Sequence, residues 1–231
     1  MVLGNLIIDF FSLFFPRACN ACGKTLARGE ECICTYCLFH LPHTHFSMHK
    51  ENRVTEIFWG RVSIETGSAL FFFQKGGKVQ KLIHRFKYKG FRDIGRFLGT
   101  IHGGELKKSV FYQGLDLVVP VPLHPNKVRK RGFNQSEVYG EGIAHSLNIP
   151  LVSKALLRTI PTASQTRKTR FRRWENVESV FHIPDSGVFE NKNILLVDDV
   201  LTTGSTLEAC AQKLLEIKGA RVWLATIAIT V

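Results

Sequence analysis

The run from 193 to 206, N-I-L-L-V-D-D-V-L-T-T-G-S-T, restricts the fold of this chain more than any other stretch. Ile194, Leu195, Leu196 and Val197 form a short unbroken apolar run, which suits a strand covered on both faces, as in a parallel sheet. Asp198 and Asp199 follow at once. Two carboxylates therefore sit at the C-terminal end of a buried strand, where open α/β sheets bind their ligands. Thr202, Thr203, Gly204, Ser205 and Thr206 make a turn. Beyond it Leu207, Ala211, Leu214, Leu215 and Ile217 recur at helical spacing over 207–218. The expected fold class is α/β with a mostly parallel sheet.

Each part of this strand-turn-helix has a chemical use. A helix start presents unpaired N–H groups and the positive end of a dipole, so a phosphate settles there. The hydroxyls of Thr202, Thr203, Ser205 and Thr206 add donors, and Gly204 permits a tight turn. Carboxylates do not bind a phosphate; beside one they accept from vicinal sugar hydroxyls or hold a hard cation such as Mg2+. A hydrogen bond to a charged group contributes about 1.5–3 kcal/mol, enough to orient a ribose. The implied ligand is a ribose 5-phosphate. An ordinary strand-turn-helix with an acidic turn is the plainer alternative. A P-loop is excluded by the missing G-K-[ST], and no G-x-G-x-x-G supports a dinucleotide fold.

Two C-x-x-C pairs, Cys19 with Cys22 and Cys34 with Cys37, put four thiolates within reach of one tetrahedral Zn2+. Four Cys ligands leave no open position, so the metal would be structural, in a small N-terminal four-cysteine zinc module whose folding it drives. Two disulfides or a redox C-x-x-C are the alternatives, and no export signal favours them. Cys32 is spare; only the pair Cys34 and Cys37 keeps the C-x-x-C bite. His40, His43, His45 and His49 match no familiar ligand spacing and read as linker histidines.

Within 231 residues, 45% of them hydrophobic, there is room for one domain with an appendage. A net charge of +12 predicts attraction to nucleotides, pyrophosphate, nucleic acid or anionic membrane surfaces without choosing among them. The apolar opening carries Asp9, lacks a basic start and a cleavage site, and is shorter than the roughly 20 residues a spanning helix needs. Leu3, Leu6, Ile7, Phe10, Leu13 and Phe14 instead make a stripe for a buried amphipathic helix. A cytoplasmic location with no transmembrane segment is expected.

Between these landmarks, 57–73 is rich in β-formers and predicts one or two strands. Val79, Leu82, Ile83 and Phe86 mark a helix face. Lys81, Arg85, Lys87 and Lys89 lie opposite, as a solvated basic face or an anion-contacting one. A second apolar strand is expected over 115–121. The loop with Pro122 and Leu123 follows, then Lys127, Arg129, Lys130 and Arg131, then a helix through 147. Cations before a helix start make a second anion site, fit for pyrophosphate. A third strand is expected over 151–157, then a long basic loop carrying Phe171 and Trp174, and a last strand over 221–229. That loop reads as a lid, a solvated linker or a nucleic-acid surface.

These residues carry a resemblance. The apolar strand, two acids, two aliphatics (Val200, Leu201) and T-T-G-x-T resemble the phosphoribosyl pyrophosphate (PRPP) motif of type I phosphoribosyltransferases. The I-x-x-x-K-Y-x-G segment ending at Gly90, V-P-V-P-L at 119–123, R-x-x-x-R-G-F-N-Q at 127–135, T-x-x-Q at 162–165 and R-x-x-N at 173–176 are similar to the ComF family. That branch carries a zinc-finger N-terminus and is implicated in natural transformation. One departure is Lys127 in place of Arg, which keeps charge but loses bidentate geometry.

The resemblance implies a type I phosphoribosyltransferase sheet over 46–231, with preceding strands and helix over 57–113 and a core over 115–231 whose flexible loop spans 158–192. The helix and zinc module fill 1–45. It implies catalytic Asp198 and Asp199, a 5-phosphate on Val200 to Thr206, and pyrophosphate on Pro122, Leu123, Arg129, Lys130 and Arg131, with Lys87 and Lys89 nearby. Mg2+ would accompany PRPP, and phosphoribosyl transfer would release pyrophosphate. The rival expectation is a DNA-uptake accessory that binds single-stranded DNA and other uptake proteins. The oligomeric state is open.

Overall fold

A computed structural model describes residues 17–88, 90–158 and 180–230. The expected N-terminal stripe, Lys89, and the T-x-x-Q and R-x-x-N elements lie outside the described residues. Four strands form one parallel sheet: β1 (Gly67–Phe73), β2 (Leu117–Pro120), β5 (Asn193–Leu201) and β6 (Arg221–Thr230), in the order β1-β6-β5-β2. A separate hairpin, β3 (Leu157–Arg158) with β4 (Phe181–His182), is antiparallel. The α/β class is as expected. β5 runs through both acids rather than stopping before them, with Asp198 opposite Thr226 of β6.

Helices cover both faces, as a doubly buried sheet requires. On one side lie α3 (Lys78–Tyr88), α4 (Arg92–Lys108) and α6 (Gln135–Leu147), burying Leu82, Phe86, Ile94, Leu98, Tyr139 and Ile143 against Leu195 and Val197. On the other lie α2 (Arg53–Phe58) and α7 (Ser205–Leu215), burying Phe58, Leu207 and Leu214 against Leu196 and Leu224. The odd and even positions of β5 thus feed different cores, as period-two alternation demands.

α4 is absent from the sequence expectation because its glycines weaken the helical signal. They serve packing. A Cβ on Gly99 would lie 2.2 Å from Tyr139 O, and one on Gly142 of α6 would lie 2.2 Å from Arg96 O. The two helices therefore cross with backbones nearly touching. Beneath the crossing His102 is fully buried, 2.9 Å from Ser68 Oγ and also in contact with Tyr139 OH.

The expectation of one or two strands over 57–73 is met by one, β1, over its second half; Ile57 and Phe58 instead end α2, which Asn52 and Thr55 start with a capping box. The expected strand over 151–157 is corrected. Of 151–157, Leu151 makes only a parallel bridge to Val118, and Leu157 belongs to the hairpin. The basic run after β2 is helical, as α5 (Pro125–Arg131) ending on Gly132. Within 158–192 the described parts hold β3, β4 and a 3-10 turn (Ser186–Phe189) with Phe189 buried; residues 159–179 lie outside the described ones.

The cysteine-bearing segment, with α1 (Thr35–Phe39), is not separate from this core. Cys19, Cys32, Ile33, Cys37 and Leu41 pack in the same cluster as Leu82 and Phe86. Arg85 Nη1 donates to Asn20 Oδ1 over 3.2 Å. Beyond α1 the chain lines the outer edge of β1, where Phe72 N donates to Pro42 O (2.8 Å) and Thr44 N to Leu70 O (3.2 Å).

Candidate active site and cysteine cluster

The C-terminal ends of β5 and β2 lie side by side, and the start of α6 caps them. Asn134, the N-cap of α6, accepts from Ser136 N (3.2 Å) and donates to Val121 O (3.0 Å), which fixes the helix start on the loop after β2. Ser136 Oγ then donates to Asp198 Oδ1 over 2.8 Å, and the Asp199 amide donates to the same oxygen over 2.8 Å. Lys87 Nζ, from the end of α3, lies 2.8 Å from Asp199 Oδ2, both side chains largely buried. Burial, then the charge of Asp199, pushes the Asp198 carboxyl up to about 7, with Ser136, the Asp199 amide and Lys87 acting against them. One acid is thus a proton-bearing group near neutrality, and the other is paired with a cation.

The turn beyond these acids leaves Thr202, Thr203, Ser205 and Thr206 exposed and buries Gly204. Gly204 has φ +79°, and a Cβ there would lie 2.9 Å from Ile57 Cγ2 and 3.0 Å from Phe58 Cε1, so only glycine fits. Gly204, the N-cap of α7, has no side chain to cap it. Among the described residues the amides of Ser205 and Thr206 have no protein acceptor. Thr203 Oγ1 and Ser205 Oγ are 3.1 Å apart. Exposed hydroxyls and unpaired amides at a helix start can receive an oxyanion.

The remaining expected residues fall around this edge. Pro122 and Leu123 are half-buried in the loop after β2; Arg129 and Lys130 are exposed on α5. Arg131 donates to Gln135 Oε1 over 2.6 Å, and its guanidinium lies 5.3 Å from the Tyr88 ring centre. The structure therefore brings together Lys87, Asp198, Asp199 and the 202–206 turn. Ser136 is absent from the sequence expectation, visible there only as the residue after G-F-N-Q. Arg61, just beyond α2, donates to Thr203 O over 3.0 Å, and no local pattern marks it.

The Sγ atoms of Cys19, Cys22, Cys34 and Cys37 lie within 4.8 Å of one another, with Cys22 and Cys34 3.8 Å apart. Ligands about 2.3 Å from a tetrahedral zinc sit about 3.8 Å from each other, so the donor set fits that ion. The Cys34 amide donates to Cys19 Sγ (3.2 Å) and the Cys37 amide to Cys34 Sγ (3.4 Å). Burial opposes ionisation of Cys19, yet the N–H groups of Cys34, Cys22 and Ala21 hold its thiol down at about 6. Burial and the neighbouring Cys22 and Cys34 thiols push Cys37 up to about 12. The four sulfurs could all ionise only with a cation between them. Cys32 is outside the cluster, buried, with its Sγ 3.5 Å from Asn20 Nδ2. The histidines are outside too: His40 contacts Tyr36 O, and His43 contacts Leu38 O and Glu105.

Comparison with known proteins agrees with this layout. Residues 140–229, from within α6 through β5 and α7 into β6, match the phosphoribosyl transferase domain. The chain is 28% identical over 209 residues to the DNA utilization protein YhgH of Escherichia coli O157:H7, covering 88% of this chain and 86% of that protein. It is 26% identical over 202 residues to Competence protein ComFC of Bacillus subtilis (strain 168), covering 87% of this chain and 78% of that one. These relatives are consistent with the ComF family and with a phosphoribosyl transferase domain. The matched domain contains the acids, the hydroxylated turn and α7, whereas the cysteines and Lys87 lie before it. A solved glutamine PRPP amidotransferase from B. subtilis aligns with 62% of this chain and 30% of its own, at TM-score 0.45 and 18% identity. Among the described residues, no helix is long and apolar enough to cross a membrane.

Proposed function

We propose that this chain is a ComF-family protein that binds PRPP and transfers its phosphoribosyl group to an acceptor with release of pyrophosphate. The observation that carries the reading is the acid pair at the sheet's C-terminal edge, braced by Ser136 and Lys87 beside an uncapped, hydroxyl-bearing helix start. Asp198 and Asp199 take the vicinal ribose hydroxyls, and 202–206 takes the 5-phosphate. Arg129, Lys130 and Arg131 face the leaving pyrophosphate from α5. Mg2+ bound with the donor supplies further charge neutralisation. Such a site works by positioning and electrostatics, since an oxocarbenium-like transition state asks for little covalent help. Zinc in the cysteine cluster is structural.

Calorimetry with PRPP and Mg2+ tests this. The wild type should bind, and Asp198→Asn or Asp199→Asn should lose about ten- to a hundredfold in affinity. Absence of wild-type binding at millimolar donor overturns the reading.

A second reading, single-stranded DNA binding in DNA uptake, is favoured by one strip of surface. Helix α3 carries Lys81, His84 and Arg85 between two exposed tyrosines: Tyr36, 5.5 Å from Lys78 Nζ, and Tyr88, flanked by His84 and Arg131. Cations spaced between rings suit a strand whose bases stack. Affinity for an oligonucleotide, its salt slope, and loss on Tyr88→Ala decide it.

A further inference from the structure

Arg61, outside every motif of the sequence, touches the proposed phosphate turn from behind. Its Nη1 donates to Thr203 O and to Ile57 O, each over 3.0 Å, while Nη2 pairs with Glu208 in the first turn of α7. One planar fork thus joins α2, the turn and the helix start. Two consequences follow from elementary chemistry.

The first concerns the direction of an amide. The Thr203–Gly204 peptide is planar and trans, so its N–H points opposite to its C=O. Fixing Thr203 O toward Arg61 turns the Gly204 N–H to the other side, away from α2. A peptide ending in glycine rotates more readily than any other, because both signs of φ are open to it. Without a grip on the carbonyl, this amide has little to keep it on the ligand side.

The second concerns charge. Glu208 stands in the first turn of α7, where its carboxylate repels an arriving phosphate dianion. Arg61 takes up that charge directly. The site therefore offers the positive end of the helix without a competing anion.

We propose that Arg61 is a positioning residue for the phosphate-binding turn: it holds the Gly204 amide toward the ligand and cancels Glu208. This rests on the reading of 202–206 as the phosphate site. The ligand class it serves is a terminal phosphate monoester, for which ribose 5-phosphate is the probe.

The test is titration of the full chain with ribose 5-phosphate, by calorimetry and by following the Gly204 amide in 1H–15N spectra. In the wild type that amide should shift markedly on binding. Arg61→Ala should weaken binding about ten- to a hundredfold, the scale of one or two charge-assisted hydrogen bonds, and lose the Gly204 shift. Arg61→Lys keeps the charge without the planar fork and should fall between. In Arg61→Ala the added change Glu208→Gln should recover part of the affinity but not the Gly204 shift. A merely structural role would lower the melting temperature and leave both the shift and the rescue unmoved. Wild-type binding with Arg61→Ala and Arg61→Lys equally tight overturns this proposal alone. No wild-type binding of ribose 5-phosphate or PRPP overturns the site itself.

Discussion

Ser136 Oγ on α6 donates to Asp198 Oδ1 on β5 over 2.8 Å, closing the space between two elements that sequence alone places far apart. The bond holds a carboxyl whose own burial resists ionisation.

Because burial and Asp199 raise Asp198 to about 7, the folded chain takes up a proton that the unfolded chain has released by then. Stability from this group is full below its unfolded value and is lost as pH rises toward 7. Asp198→Asn removes that loss. Urea midpoints should therefore show the variant gaining on the wild type by roughly 1–3 kcal/mol between about pH 4 and pH 8. A constant difference across that range would refute the assignment.

Lys87 is the counter-charge of Asp199, and both are mostly out of water. Lys87→Ala strands the acid beside Asp198 and should cost about 1–3 kcal/mol near pH 8. Adding Asp199→Asn should recover most of it, and equilibrium unfolding of the two variants reads the difference.

The crossing of α4 and α6 has no space for a methyl group. Gly99→Ala or Gly142→Ala would push the helices apart and should destabilise by about 2–4 kcal/mol, although alanine favours an isolated helix. Thermal unfolding checks the sign: a rise in melting temperature would contradict the crossing.

Purified protein should carry zinc that Cys37→Ser abolishes and Cys32→Ser leaves in place, since only the former belongs to the cluster. Chelation should lower the melting temperature of the wild type, because structural zinc contributes on the order of 10 kcal/mol to folding in small modules. Metal analysis of the two variants is the measurement.

What could be seen in the sequence was local. The apolar run, acids and turn of 193–206 fall within one strand-turn-helix, and the paired cysteines carry their spacing with them. What escaped depended on partners distant in the chain. The glycines of α4 look like helix breakers until α6 is laid across them. Residues 151–157 look like a strand, but their pairing with β2 is confined to one bridge at Leu151, closed by Val152 N on Val118 O. Asn52 with Thr55 is a readable start signal for α2, outweighed by the β-formers that follow. Arg61 has meaning only through Thr203 and Glu208, far along the chain.

The segment 42–44, hydrogen-bonded along the margin of β1, has a consequence for anyone dividing this protein. A fragment starting at 46 would lose that selvedge and bare a row of unsatisfied amides and carbonyls beside Phe71, Phe72 and Phe73. Such a fragment would recruit its own copies to fill the gap and precipitate. The cysteine-bearing end thus also shields the open edge of the sheet.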